Sequence, residues 1–147
     1  MGLIDEILAG SRISFDANTL IYYVEEHPDF FAVVDPLFES ILAGTFAAYL
    51  SVIILTEVLV APLRDGAVTL ADRYRAILNR TRGFSTQTLD EQTAERAALI
   101  RSQYTLRTPD AVVAATAIGA ACTHLVTKDA RFRRVNEFNT LVISDFV

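Results

Sequence analysis

Four acidic residues, Asp16, Glu57, Asp110 and Asp129, stand where an acid is either costly or well placed for a ligand. Glu57 is the most telling of them. On a helix its neighbours three and four positions away are Ile53, Ile54, Val60 and Ala61, which leaves no polar face to carry it. A carboxylate in apolar surroundings has to be protonated, paired with a base or bound to a metal. No arginine or lysine lies between Arg12 and Arg64, so any base would come from a distant segment. Asp16 follows the strand-like Ile13 to Phe15 and precedes an apolar helix. Asp129 follows the apolar Leu125-Val126 pair after two intervening residues, of which Thr127 is able to hydrogen-bond a neighbouring carboxylate. Asp110 opens the apolar helix Ala111 to Cys122. Helix capping or a favourable place in a first turn would explain Asp16, Asp110 or Asp129 singly; their common position at junctions, with Glu57 as the fourth, points to convergence.

Clustered carboxylates repel unless cations hold them, and oxygen donors without histidine or cysteine suit Mg²⁺ or Mn²⁺ rather than zinc. Such a site can deprotonate a water and neutralise a phosphodiester, which is the chemistry of metal-dependent nucleases. Asp90, Glu91 and Glu95 fit capping or a solvated helix face better. Cys122 is the sole cysteine, so disulfide and thiolate-cluster chemistry are excluded, and His27 and His124 lie far apart in apolar or turn settings. A net charge of −5 opposes broad polyanion binding. A bound divalent ion would cancel charge where a phosphate sits, and the basic residues are nearly all arginine, including Arg73, Arg75, Arg80 and Arg82 and then Arg131, Arg133 and Arg134. Arginine suits bidentate phosphate contacts.

The elements that must position these acids alternate. The 147 residues are 52% hydrophobic and 21% charged, the make-up of one packed domain. After a short amphipathic lead, Leu3 to Leu8, a strand ends at Asp16 and a helix spans Asn18 to Glu26. Pro28 opens a second helix to about Ala43, Gly44 stops it, and Thr45 to Leu50 reads as a strand. An apolar helix follows over Val52 to Leu63, then a turn at Asp65-Gly66 and a helix capped by Thr69 to about Arg82. Phe84 to Thr88 reads as a short strand and Asp90 caps a helix over Glu91 to Tyr104. Thr108 caps the next helix with Pro109 in its first position, and it runs to Cys122. Strand His124 to Thr127, a short helix from Asp129 to Arg134 and strand Thr140 to Ile143 end the chain. This alternation implies an α/β fold, a parallel sheet covered on both faces with its ligand crevice at the carboxyl ends of the strands. Glu57 and the polar Ser51 and Thr56 interrupt the longest apolar stretch, and the acidic N-terminus is unlike a secretory signal, so a cytoplasmic location without membrane insertion is expected.

Four segments together resemble the PIN-domain ribonucleases, and among them the VapC-type toxins of toxin-antitoxin pairs. They are Phe15-Asp16-Ala17-Asn18-Thr19-Leu20-Ile21-Tyr22, Ser51-Val52-Ile53-Ile54-Leu55-Thr56-Glu57-Val58-Leu59, Thr108-Pro109-Asp110-Ala111-Val112-Val113-Ala114-Ala115-Thr116-Ala117 and Leu125-Val126-Thr127-Lys128-Asp129-Ala130-Arg131-Phe132. Ile54 stands where the family often has threonine. The resemblance spans most of the chain and implies a single PIN-like domain over residues 1–147, a three-layer α/β/α sandwich with a mainly parallel sheet. It further implies a Mg²⁺- or Mn²⁺-dependent endoribonuclease, a homodimer and inhibition by a cognate antitoxin protein. By the same comparison Asp16, Glu57, Asp110 and Asp129 would be catalytic metal ligands, oriented by Asn18, Ser51 and Thr127.

Three other readings stay open. A PIN-like domain could bind RNA or protein without catalysis, or serve as a housekeeping RNA-processing nuclease outside any toxin pair. An aspartyl phosphotransferase would use a first-strand aspartate as nucleophile, but it wants a second aspartate two positions on, where this chain has Asn18.

Overall fold

The computed structural model describes all residues from Met1 to Val147. Five strands form one parallel sheet: β1 (Arg12–Phe15), β2 (Ala47–Ser51), β3 (Phe84–Gln87), β4 (His124–Thr127) and β5 (Asn139–Val142), in the order β3-β2-β1-β4-β5. The chain builds outward from β1 through β2 to β3, then crosses back to lay β4 against the other side of β1. In register, Ile13 pairs with Ala48 on one side and with His124 on the other. That reversal opens a crevice beyond the carboxyl ends of β1 and β4, the usual ligand position in such sheets.

Strand alternation divides the core between the two faces. Ile13, Phe15, Ala48, Leu50 and Val126 point to one face, where they pack with residues of α1 (Ala17–Val24), α2 (Phe31–Leu42), α3 (Ile54–Val58) and α5 (Val68–Arg80). Leu125 points to the other, against α6 (Glu91–Gln103) and α7 (Thr108–Gly119). All seven residues from Ala111 to Ala117 are buried because α7 lies between the sheet and α6, and its alanines permit close approach. The α/β/α sandwich with a parallel sheet is therefore as expected from the alternation. No helix is long and apolar enough to cross a membrane.

Several boundaries differ from the sequence expectation, each for a local reason. The apolar helix of residues 52–63 is two short ones, α3 and α4 (Val60–Arg64), divided at Leu59. Pro62 has no N–H to give the Val58 carbonyl, and its ring crowds that turn. The helix after Pro28 begins only at Phe31, whose N–H bonds the His27 carbonyl at 2.9 Å, while the Asp29 N–H is taken by His27 Nδ1 at 3.1 Å. Thr69 does not cap α5: Ala67 holds that position without a side-chain bond, and the helix ends at Arg80. Thr108 likewise lies inside α7, whose cap position belongs to Arg107. That helix stops at Gly119 rather than Cys122, because Ala121 takes a left-handed conformation (φ 57°) and the Cys122 N–H closes on the Ala117 carbonyl at 2.9 Å. The helix over residues 18–26 ends earlier, at Val24, with Glu26 at φ 49°.

Candidate functional site

Asp16 directly follows β1 and caps α1. Its Oδ1 accepts from the Thr19 backbone N–H at 3.1 Å and the Thr19 hydroxyl at 2.8 Å, and its Oδ2 accepts from the Thr127 hydroxyl at 2.5 Å. The residue is only 7% exposed. Burial pushes its carboxyl above the ordinary aspartate range, and the hydrogen bonds from Thr127 and Thr19 work against that rise. Asp16 is thus both a helix cap and a crevice carboxylate, so the two readings of its sequence position hold together.

Asp129 follows β4 and caps the 3₁₀ turn Ala130–Arg134. Its N–H donates to Thr127 Oγ1 at 2.9 Å, so one threonine hydroxyl joins the loop after β4 to the carboxylate after β1. Asp129 Oδ1 and Oδ2 each accept from Arg131 Nε at 3.0 Å, and Nη2 of the same arginine reaches Oδ2 at 2.6 Å. This fork holds the Asp129 carboxyl below its usual range.

Asp110, in the first turn of α7, has a side chain 13% exposed. Its Oδ2 lies 3.3 Å from Arg107 Nε and 3.9 Å from Arg131 Nη2. Glu57, on α3, is half-buried rather than enclosed by apolar groups, because it opens onto the crevice. No arginine or lysine comes within ion-pair distance of it. Burial and then the charges of Asp110 and Asp16 raise its carboxyl, with Arg107 opposing weakly.

The structure brings all four acids to one cleft of about 240 Å³, lined also by Asn18, Ile21, Val113 and Arg107. Asn18 is exposed on its wall. Ser51 does not bond any of the four carboxylates: its buried hydroxyl accepts from the Ile53 N–H at 3.2 Å and so shapes the turn into α3. Thr19 escaped the sequence reading; besides Asp16 it donates to the Val126 carbonyl at 3.1 Å, tying the cap to β4. A threonine three residues after an aspartate that ends a strand is the signal for it. Arg107 was also missed, although an arginine three positions before Asp110 is a visible helical pairing.

The donor set is made of carboxylate oxygens, which suits a hard divalent cation. As the side chains stand, no three acidic, histidine or cysteine groups close on one point for an ion, and Asp110 and Asp129 are instead turned to arginines.

No curated protein matches the sequence. Among solved structures, the chain superposes on VapBC2 from Rickettsia felis, bound to a DNA fragment from its promoter, with TM-score 0.70 and 15% identity over 89% of this chain and 98% of that one. It superposes on a toxin-antitoxin complex from Klebsiella pneumoniae with TM-score 0.66, 24% identity and coverage of 89% and 97%. For FitAcB from Neisseria gonorrhoeae the TM-score is 0.63, the identity 24% and the coverage 90% and 98%. At these identities the likeness is one of fold. The sequence itself matches the PIN domain over residues 13–137, a span that runs from the first residues of β1 past the loop carrying Asp129. With that match over most of its length, the chain belongs to the PIN domain family.

Proposed function

We propose that this protein is a divalent-metal-dependent endoribonuclease, the toxin of a toxin-antitoxin pair. The observation that carries this reading is the cleft itself, in which acids from four separate segments line one space beyond β1 and β4 in a PIN-family chain. Asp16, Glu57, Asp110 and Asp129 would hold Mg²⁺ or Mn²⁺. The bound ion would supply a water acidic enough to attack at neutral pH and a positive charge for the phosphate.

The chain's own residues do the rest. Thr127 and Thr19 hold Asp16 in one orientation, so its carboxylate meets a ligand without reorganising. Arg107, whose side chain is 66% exposed, stands beside Asp110 at the cleft and can face a phosphodiester oxygen. Asn18 offers a carboxamide on the same wall. Glu57, which pairs with no arginine as Asp110 and Asp129 do and accepts no threonine hydrogen bond as Asp16 does, is the group best suited to take a proton from an attacking water.

An antitoxin as partner is supported by the neighbouring folds, which include toxin-antitoxin complexes. A homodimer and a cytoplasmic location belong to the same reading. The test is a cleavage assay on total cellular RNA with the native protein and Asp110→Asn. Cleavage that EDTA stops, Mg²⁺ or Mn²⁺ restores and Asp110→Asn lacks is the expected result. Cleavage that persists in excess chelator overturns the metal-dependent reading. Active protein whose unpartnered expression leaves growth unaffected favours a housekeeping nuclease over a toxin.

A further inference from the structure

We propose that Arg131 serves as a built-in cation in place of a second metal ion, so that the cleft takes one divalent ion and not two. This rests on reading the cleft as a metal site. The guanidinium engages both oxygens of Asp129 through Nε and Nη2, at 2.6–3.0 Å, and its Nη2 lies 3.9 Å from Asp110 Oδ2. It therefore spans two of the four carboxylates, as a bridging metal would.

Its place is set by the backbone as well as by the side chain. The Arg131 N–H also donates to Asp129 Oδ1 at 2.9 Å, because Asp129 caps the 3₁₀ turn that contains Arg131. The arginine is thereby delivered to the carboxylate by the same turn that orients it.

The charge balance leads to the stoichiometry. Asp16, Glu57, Asp110 and Asp129, ionised, carry four negative charges, and Arg107 and Arg131 return two positive ones. Two negative charges remain, which one divalent cation cancels. A second ion would have to displace the Arg131 fork from Asp129 or sit beside its guanidinium, which already occupies both Asp129 oxygens through three charge-assisted contacts although its side chain is 45% exposed. Of the four acids read above as ligands, Asp129 is then given over to Arg131, and Asp16, Glu57 and Asp110 hold the single ion.

The test is Mn²⁺ binding by the RNA-free protein, followed by the electron paramagnetic resonance signal of free Mn²⁺. The native chain and Arg131→Lys, which keeps the charge, are expected to bind one ion. Arg131→Gln, which removes the charge and keeps a polar side chain, is expected to bind a second ion or to hold the first on the order of tenfold more tightly. Circular dichroism on each variant confirms that the fold is retained. Two ions on the native protein, or equal number and affinity for native and Arg131→Gln, overturns the proposal even if cleavage proves sensitive to chelation. No Mn²⁺ bound by any of the three, with cleavage indifferent to EDTA, overturns the metal-dependent reading and this proposal with it.

Discussion

The Thr127 hydroxyl donates to Asp16 Oδ2 at 2.5 Å across 111 positions of sequence, and it accepts the Asp129 N–H at 2.9 Å. One fully buried side chain thus sets the relative positions of two acids from adjacent strands. Replacing it with valine keeps the shape and deletes both bonds. Thr127→Val is expected to lower stability by roughly 1–3 kcal/mol, the cost of leaving a buried charged acceptor short of a donor. Thr127→Ser is expected to retain most of that stability. Urea unfolding at neutral pH checks the pair, and equal losses in both variants would contradict a role for the hydroxyl.

Glu57 is predicted to oppose folding. Its carboxyl titrates above the ordinary range in the folded protein, through burial and the neighbouring charges of Asp110 and Asp16. The native state then binds its proton more tightly than the unfolded chain does, so stability falls as pH rises from the unfolded to the folded pKa and the penalty is complete above it. Glu57→Gln is therefore expected to stabilise the metal-free protein at pH 7. The gain is small, on the order of 0.5 kcal/mol, because water screens a half-exposed group. It should vanish below about pH 4, where the carboxyl is protonated in both states. Urea unfolding with chelator present at the two pH values measures it, and a destabilised Glu57→Gln at pH 7 would refute it.

The parallel sheet and the places of Asp16 and Asp129 were legible because the acids stand one and two residues past the ends of apolar strands, a pattern read along the chain without knowing what packs on it. Glu57 was legible as an anomaly, though its half-exposure was not: helical periodicity reports neighbours on the same helix and says nothing of a cleft opened by other segments. The split at Leu59 was written in Pro62 and overlooked within an apolar run. The Arg131 fork was the least legible. An arginine two residues after an aspartate in a basic segment looks like a solvated charge, and only the 3₁₀ turn capped by Asp129 brings its guanidinium back onto that carboxylate.

A backbone prediction is independent of the chemistry. Gly83 holds φ at +92° just before β3, and a Cβ there would stand 2.7 Å from the Ile41 carbonyl oxygen at the end of α2. Gly83→Ala combines left-handed strain with a backbone clash, for an expected loss of about 2–3 kcal/mol. Gly66, at φ +67° with open space around it, carries the strain alone, and Gly66→Ala should cost about 1 kcal/mol. Thermal unfolding of both variants compares them, and an equal or smaller loss at Gly83 would contradict the close approach.

Metal binding should be visible as stability even without RNA. A ligand held only by the native state stabilises it by about 2.7 kcal/mol at a hundredfold excess over its dissociation constant. For a domain of this size that corresponds to a rise in Tm of roughly 5–10 °C. Saturating Mn²⁺ is expected to give such a rise in the native protein, and EDTA to reverse it. Asp16→Asn and Asp110→Asn each remove one charged ligand and should abolish most of it, whatever their own baseline Tm. The same addition of Mn²⁺ should leave Asp90→Asn shifting like the native chain, because Asp90 only caps α6 through the Thr93 N–H, at 2.8 Å, away from the cleft. An Mn²⁺-induced rise of equal size in Asp16→Asn, Asp110→Asn and the native protein would place the ion somewhere other than this cleft.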